Sequence, residues 1–310
     1  MIKQKLKGNL LLLLAAFVWG ISFIAQSKGV ELVSPVAFIG VRTMLGAIVL
    51  IPVIMAIDGS KKKKGLPIQG WTKDLLISGT LCGILLFIAT ILQTAGMIYT
   101  SPGKSGFITA LYMVIVPFFA LFSGKKPGIS VWISVLIAVA GLYLMCIDSS
   151  LAVNKGDVLT LICSFVFAFH IITIDKFSPK VDGVKLSFLQ FFVCGALGLI
   201  YIFIFEKPEL KPILNCWVSI GYAGIFSCGV GYTLQIVGQK YTDPTSASIL
   251  MSLESVFATL STVILVAVGW NLTGGQLEVK EIVGCVLMFV AILLVQLPEK
   301  KKDDCCQKMS

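Results

Sequence analysis

The chain has 310 residues, of which 57% are hydrophobic and only 13% are charged, and its formal net charge is +9. Soluble domains carry about 25% charged residues, so this composition excludes a soluble globule and predicts an all-α, polytopic membrane protein whose surface mostly faces lipid. The nine cysteines lie mainly in apolar runs, a distribution that favours neither a disulfide framework nor a zinc site.

Apolar runs long enough to cross about 30 Å of hydrocarbon predict ten transmembrane helices joined by short loops. The first run follows a basic start and is too long for the apolar core of a signal peptide, so we expect an uncleaved span. Pro52 and Pro117 lie inside spans and are expected to kink them. In chain order, the predicted spans cover approximately residues 8–27, 34–57, 74–97, 105–123, 129–147, 156–174, 185–205, 217–239, 245–268 and 282–297.

The lysines are unequally distributed between the two sides of the predicted helices. With the N-terminus in the cytoplasm, 18 lysines lie on the cytoplasmic side and 6 outside, and the remaining basic residue, Arg42, lies inside a span. The positive-inside rule therefore predicts that both termini lie in the cytoplasm. The expected location is the cell membrane. We interpret the lysine run at 61–64 as a topology anchor near anionic lipid headgroups, so no nucleic-acid partner is expected.

Two passages of the chain occur twice. ILQTAGMIYTSPGKSGFI (residues 91–108) aligns with TLQIVGQKYTDPTSASIL (233–250) at a constant offset of 142. KGNLLLLLAAFVWG (7–20) aligns with KGDVLTLICSFVFA (155–168) at an offset of 148. Spans one and three therefore correspond to spans six and eight, and the chain consists of two related halves.

Each half contains five predicted helices, which is an odd number. The second half must then enter the membrane from the opposite side. The sequence predicts two inverted five-helix repeats, residues 1–148 and 149–300, followed by a cytoplasmic tail, 301–310. Transporters built this way hold their substrate between the repeats, near the membrane midplane.

Four motifs follow one another along the chain: FVWGISF, a lone arginine in VRTMLGA, LQTAGMIYTSPGKSGFITALYMVIVP and GYTLQIVGQKYTDPTSASILMSLESVFATL. Their order and the two-half arrangement resemble EamA-type members of the drug/metabolite transporter superfamily over nearly the whole chain. The resemblance implies ten helices in two repeats that move small metabolites or drugs, commonly outward, through a central cavity. Ser255 departs from the pattern, because relatives often have a proline after the equivalent of Glu254. The serine makes a kink there less favourable.

Three ionisable residues lie inside predicted spans. Arg42 lies about 12 Å from the outer end of its span, where a cation costs about 2.5–3.5 kcal/mol on insertion scales. It is expected either to bind an anionic or carboxylate-bearing substrate or to reach headgroups or loop carbonyls. Glu254 lies about 15 Å from the inner face and is either a proton carrier, a counter-ion for a cationic substrate, or a structural residue that pairs with a residue such as Arg42 or hydrogen-bonds to a neighbouring helix. His170 is either a proton relay or a residue packed at a helix interface.

Uncharged polar and aromatic residues complete the candidate site. Gln93 and Gln235 occupy equivalent positions in the two halves, and a glutamine avoids lipid, so both are expected to face protein or the cavity. Trp19, Tyr112 and Tyr232 either form walls for a ring-bearing substrate or fill gaps between helices. The predicted substrate-binding set is Trp19, Arg42, Gln93, Tyr112, His170, Tyr232, Gln235 and Glu254.

Together these patterns predict a secondary transporter in the cell membrane, not an enzyme, that moves a small organic metabolite such as an amino acid or a drug-like compound by alternating access. Export is expected from the resemblance alone, and proton coupling, exchange and facilitated diffusion all fit. The alternatives are a channel-like facilitator or a non-transporting receptor, and with less support an intramembrane enzyme, because the chain lacks a clustered nucleophile and base. No cofactor or metal is expected. The oligomeric state is open, and a monomer fits the sequence.

Overall fold

The computed structural model describes residues 2–100, 102–122, 124, 127–146, 154–207, 209–269 and 278–296. Throughout these ranges the regular secondary structure is helical, which confirms the predicted all-α class. The predicted boundary between the repeats, after residue 148, and the predicted tail, 301–310, lie outside the described residues.

In the first half, the predicted fourth span is divided into two helices, since the first ends at Ala110 and the second begins at Tyr112. The helices of this half are α1 (Ile2–Val30), α2 (Pro35–Lys63), α3 (Lys73–Gly96), α4 (Pro102–Ala110), α5 (Tyr112–Phe122) and α6 (Ile129–Cys146).

In the second half, two stretches adopt the wider π-helical winding. The elements are α7 (Lys155–Phe177), α8 (Gly183–Tyr201) with its π-helical continuation Ile202–Glu206, α9 (Leu210–Asn215), α10 (Trp217–Gly221), the π-helical segment Tyr222–Tyr232, α11 (Thr233–Gln239), α12 (Pro244–Met251), α13 (Glu254–Ala267) and α14 (Val279–Gln296). The predicted eighth span thus comprises α10, the second π-helical segment and α11, and the predicted ninth comprises α12 and α13.

Side-chain caps fix where two of the helices begin. Ser34 accepts a hydrogen bond from a backbone N–H in the first turn of α2, and Asp243 does the same at the start of α12. Each cap precedes a proline, Pro35 or Pro244, whose missing N–H costs little in the first turn of a helix. Both helices can therefore begin directly after a short loop.

Eight helical segments in the described part of the chain are long and apolar enough to cross a membrane. They agree with eight of the predicted spans. The predicted fifth and tenth spans fall at α6 and α14, whose apolar parts, Ile129–Leu144 and Ile282–Val295, are shorter and pack against each other. Pro52 lies inside α2 and Pro117 inside α5, and neither ends its helix.

Helices of one half pack mainly on helices of the other, in matching pairs. α1 packs on α11 and the π-helical segment before it, and α7 packs on α3, which is the same contact with the halves exchanged. Similarly, α1 contacts α13 where α7 contacts α4 and α5. The helices α2 and α8, and likewise α6 and α14, pair directly with their own equivalents.

The segments that occur twice in the sequence meet in the fold. At the start of α1, a Cβ on Gly8 would lie 2.9 Å from the carbonyl oxygen of Gly238, near the end of α11. Beside this approach, Thr242 Oγ1 donates a hydrogen bond of 3.0 Å to Asn9 Oδ1. We call this four-residue contact the first clasp.

An equivalent contact joins α7 to α3. A Cβ on Gly156 would lie 2.5 Å from the carbonyl oxygen of Gly96, and Thr100 Oγ1 donates a hydrogen bond of 2.8 Å to Asp157 Oδ1. These four residues form the second clasp, and the offsets of 148 and 142 relate them to the first. Glycine is needed in both clasps because its missing side chain lets two helix backbones approach closely.

Candidate functional site

A cavity of about 500 Å³, counting its part open to solvent, lies between helices of both halves. The structure brings the whole predicted set of substrate-binding residues to its wall. These residues are Trp19, Arg42, Gln93, Tyr112, His170, Tyr232, Gln235 and Glu254.

The wall also contains residues that the sequence analysis missed. They are Ser22, Phe23, Gln26, Thr109, Phe167, Ile171, Ser227 and Met251. Two of them, Phe167 and Ser22, could have been found from the duplication, because they are the equivalents of the predicted residues Trp19 and His170. The repeat offsets relate six pairs of wall residues in all. The pairs are Trp19 with Phe167, Ser22 with His170 and Phe23 with Ile171 at an offset of 148, and Gln93 with Gln235, Thr109 with Met251 and Tyr112 with Glu254 at 142.

Glu254 and Tyr112 contact each other across the cavity wall. Tyr112 Oη donates a hydrogen bond of 3.2 Å to Glu254 Oε1, and both residues are buried. A buried carboxyl group needs such a donor, because burial without a hydrogen bond is costly. This bond also answers one alternative from the sequence, since the described partner of Glu254 is a tyrosine and not Arg42.

The helix that carries Glu254 is interrupted directly before it, since α12 ends at Met251 and α13 begins at Glu254. Two serines of α12 and the interruption bond to the preceding turn: Ser248 Oγ donates to a backbone carbonyl over 2.8 Å and Ser252 Oγ does so over 2.7 Å. The expectation that Ser255 disfavours a kink stays a prediction.

Arg42 lies in the wall with its charge uncompensated. Its side chain is only 2% exposed, so it does not reach headgroups at the surface. Nε and Nη1 have no hydrogen-bond partner, and no ion pair of Arg42 occurs in the described ranges. The ring of Phe38 lies 5.4 Å from the guanidinium carbon, a contact worth about 2 kcal/mol when desolvated. Desolvating the cation costs several kcal/mol, so Phe38 alone does not offset its burial.

His170 is buried and joined to the wall by one ring nitrogen. Its Nε2 lies 3.0 Å from Gln190 Oε1, whereas Nδ1 has no hydrogen-bond partner within the described residues. The ring lies edge-on to Tyr232, with a centroid distance of 6.2 Å. The ring thus packs between helices, as one alternative from the sequence expects, and it also borders the cavity. The proton-relay role stays a prediction.

The glutamines and aromatic residues give the wall its remaining chemistry. Gln93 Nε2 donates a hydrogen bond of 3.2 Å to Thr109 Oγ1, whereas Gln235 Oε1 is buried with no partner in the described structure. Trp19 and Tyr232 lie with ring centroids 4.7 Å apart and form one aromatic surface. The cavity thus offers a cation, an acid, unused acceptors and apolar rings to a small organic molecule.

A separate group of ion pairs joins α2 to the start of α8, and none of its residues lines the cavity. Lys61 Nζ lies 2.9 Å from Asp182 Oδ2, and Lys185 Nζ lies 2.7 Å from Asp58 Oδ2. Burial by itself raises the pKa of Asp182. Hydrogen bonds from Lys61 and from the backbone N–H groups of Lys185 and Val184 outweigh burial and lower that pKa from its ordinary 3.8.

Within the described ranges, no group of three or more histidine, cysteine, aspartate or glutamate residues could hold a metal ion. The described cavity wall contains one strongly basic residue, Arg42, and one acidic residue, Glu254. Glu254 accepts a hydrogen bond from Tyr112, whereas two nitrogens of Arg42 have no partner among the described residues.

Comparisons with known proteins agree with this architecture. The chain is 29% identical over 301 residues to an uncharacterized transporter of Archaeoglobus fulgidus, covering 95% of this chain and 87% of the relative. It is 24% identical to an uncharacterized transporter of Clostridium kluyveri, covering 96% of each chain. A solved crystal structure superposes with a TM-score of 0.71 over 94% of this chain and 96% of its own, at 17% identity, which shows a shared fold.

A sequence model of the EamA-like transporter family matches the chain twice, over residues 6–147 and 154–297. The two matches together span nearly the whole chain. Each match covers the helices of one half of the chain, and both halves contribute residues to the cavity wall. The chain therefore belongs to the EamA-like transporter family and is a multi-pass membrane transporter.

Proposed function

We propose that the protein is a secondary transporter that carries a small organic metabolite, such as an amino acid or a drug-like compound, through the cavity by alternating access. One observation carries the proposal: most of the cavity wall consists of residue pairs that the repeat offsets relate. A site built from equivalent residues of two halves lies where the halves meet, as expected for carriers with repeated bundles. The eight residues predicted from the sequence are proposed as the substrate contacts.

The clasps support ten spans arranged as two inverted repeats, residues 1–148 and 149–300. α1 begins at the first clasp. After three successive helices the chain reaches the end of α3 at the second clasp, where α7 begins. The equivalent helices α1 and α7 thus start at opposite ends of the bundle, as inverted repeats require. Each half would adopt one of two packings of similar energy. When the two halves exchange packings, the cavity would close on one side of the membrane and open on the other.

The lysine distribution supports cytoplasmic termini and a location in the cell membrane. The end of the bundle that carries the start of α1 also carries Lys61, Lys185 and Lys240. Export is proposed from the family resemblance, and a proton is the candidate coupling ion because Glu254 is the acid at the cavity wall.

A panel of small metabolites tests the proposal on the purified full-length chain. Compounds that raise its unfolding temperature are then offered, radiolabelled, to proteoliposomes. We expect saturable uptake above that of protein-free liposomes for at least one stabilising compound, and reduced uptake when Gln235 is replaced by Ala. Stabilising compounds that enter no faster than in protein-free liposomes would indicate a non-transporting receptor instead.

A further inference from the structure

We propose that Arg42 anchors a carboxylate of the substrate, so that the transported solute is an organic acid carried as its anion. The inference deepens the proposed function and rests on it, because the same cavity is taken as the transport site. Arg42 is the single arginine of the chain, and its side chain forms part of the cavity wall.

The guanidinium is a permanent cation with no ion-pair partner among the described residues. Arginine is not deprotonated in proteins, so Arg42 cannot become neutral in response to burial as a lysine can. The acid that shares the cavity, Glu254, accepts its hydrogen bond from Tyr112. The described protein thus leaves both Nε and Nη1 of Arg42 without an acceptor. The ligand that completes this wall must bring negative charge and acceptor oxygens.

The helix that carries Arg42 is closely packed at this position. A Cβ on Gly224 would lie 2.8 Å from the carbonyl oxygen of Arg42, so α2 and the π-helical segment are in close contact at this level. One turn earlier in α2, the Phe38 ring lies against the guanidinium. A donor group on a closely packed helix, with an aromatic ring against it, loses less conformational entropy on binding than a donor on a mobile segment.

The rest of the wall defines the class of organic acid. Gln26 Oε1 and Gln235 Oε1 are buried acceptors with no partner among the described residues, and they suit a hydroxyl or amino group on the same solute. The paired rings of Trp19 and Tyr232 suit an apolar or aromatic part. A planar carboxylate matches the guanidinium in shape and charge. The structure therefore assigns to this site a small carboxylate with a hydrogen-bond donor and an apolar portion.

Binding to the purified full-length protein tests the assignment without requiring transport. The probes are small carboxylates, from acetate to 3-phenylpropionate and 3-phenyllactate, each measured beside its primary amide by thermal shift and calorimetry. We expect at least one carboxylate to bind about tenfold or more tightly than its amide. In Arg42→Met this preference should disappear, because the carboxylate loses more affinity than the amide when the guanidinium is removed. Arg42→Lys should retain part of the preference, and Lys28→Met, which removes an exposed cation, should retain all of it.

The single arginine permits a second measurement that needs no variant. Phenylglyoxal modifies guanidinium groups, so peptide mass spectrometry of the treated wild-type protein reports arginine modification at Arg42 alone. The best carboxylate should slow this modification, whereas its amide should not. Equal protection by both compounds, or no protection at concentrations that saturate the thermal shift, would overturn the assignment.

The remaining outcomes separate this inference from the proposed function. If no carboxylate in the panel binds better than its amide, or if the preference survives in Arg42→Met, the carboxylate site is wrong even when a neutral solute is transported. If chloride or inorganic phosphate alone reproduces the whole effect, Arg42 holds an inorganic anion and the assignment to an organic acid is wrong. If carboxylates bind through Arg42 but are not transported, the site stands and the transport function fails.

Discussion

Tyr112 donates a hydrogen bond of 3.2 Å to Glu254, and the two residues are separated by the same 142 positions that align the duplicated passages of the sequence. They are thus equivalent residues of the two halves in direct contact. Equivalent residues touch only near the axis that relates the halves. The contact therefore places an ionisable group where the two halves meet.

Replacing Glu254 with glutamine should abolish pH-driven transport and leave substrate exchange intact. The amide can still accept the hydrogen bond from Tyr112, but it cannot bind and release a proton. The measurement is uptake into proteoliposomes with and without an imposed pH gradient, followed by exchange at equal pH.

The matched control is Tyr112→Phe, which removes the partner hydroxyl and keeps the acid. Because a single hydrogen bond contributes only about 1 kcal/mol, pH-driven uptake in this variant should persist at a reduced rate. Undiminished pH-driven uptake by Glu254→Gln would rule out Glu254 as the proton carrier.

The clasp glycines should tolerate no side chain. An exposed glycine within a helix is less favourable than alanine by about 1 kcal/mol, so alanine stabilises wherever space is open. In Gly8→Ala and Gly156→Ala the added Cβ meets a backbone oxygen, and overpacking of this kind costs about 1–3 kcal/mol. Both variants should therefore unfold at lower temperature than wild type. Gly59→Ala, where no atom lies within 4 Å of the added Cβ, should not. Destabilisation at only one of the two clasps would mean that the clasps are not equivalent.

The ion pair between Asp182 and Lys61 should make stability depend on acidic pH. Because hydrogen bonds lower the pKa of Asp182 from 3.8 in the folded protein, its contribution is fully present above 3.8 and is lost as pH falls through the lower folded pKa. The contribution is about 1 kcal/mol at most, since the pair is partly exposed to solvent. Unfolding temperatures between pH 3 and pH 7 should fall more steeply for wild type than for Asp182→Asn. Lys61→Met should show a shallower fall than wild type, because without Lys61 the folded pKa of Asp182 moves back toward 3.8 and less of the pH-dependent contribution remains. Superimposable profiles for the three proteins would contradict the assignment.

Cysteine labelling should place the lysine run in the cytoplasm. Lys62→Cys should react with a membrane-impermeant maleimide only in inside-out vesicles, and Glu209→Cys, on the opposite end of the bundle, only in intact cells. Both substitutions are made in a background where Cys305 and Cys306 are serine, because these two lie in the predicted cytoplasmic tail. Labelling of Lys62→Cys in intact cells would reverse the proposed orientation.

Much of the fold follows from patterns that lipid imposes on the sequence. Apolar runs predict helices because an unpaired backbone group is costly in hydrocarbon, and eight such segments are present in the described structure. The break at Ser252 and Leu253 was not predicted, because apolar composition does not show where the backbone hydrogen bonds of a helix are interrupted. The π-helical stretch Tyr222–Tyr232 was missed for a similar reason, since apolar composition does not distinguish π from α winding.

The cavity was predictable to the extent that polar residues avoid lipid and equivalent positions share an environment. Gln93 and Gln235 were found by that argument, and the same offsets lead from Trp19 to Phe167 and from His170 to Ser22. What the sequence could not reveal is which groups lack partners. The unpaired nitrogens of Arg42 depend on the distances between helices distant in sequence, and only the packed structure provides those distances.

Counterflow tests the central claim most directly: two inverted bundles enclose a cavity that opens to one side at a time. Proteoliposomes are loaded with an excess of an unlabelled compound that binds the purified chain, and influx of the same labelled compound is then measured. The account predicts a transient accumulation of label above its outside concentration, because a carrier returns faster when loaded. Label that rises only to the outside concentration, at a rate that internal solute does not change, would show an open pore and contradict alternating access.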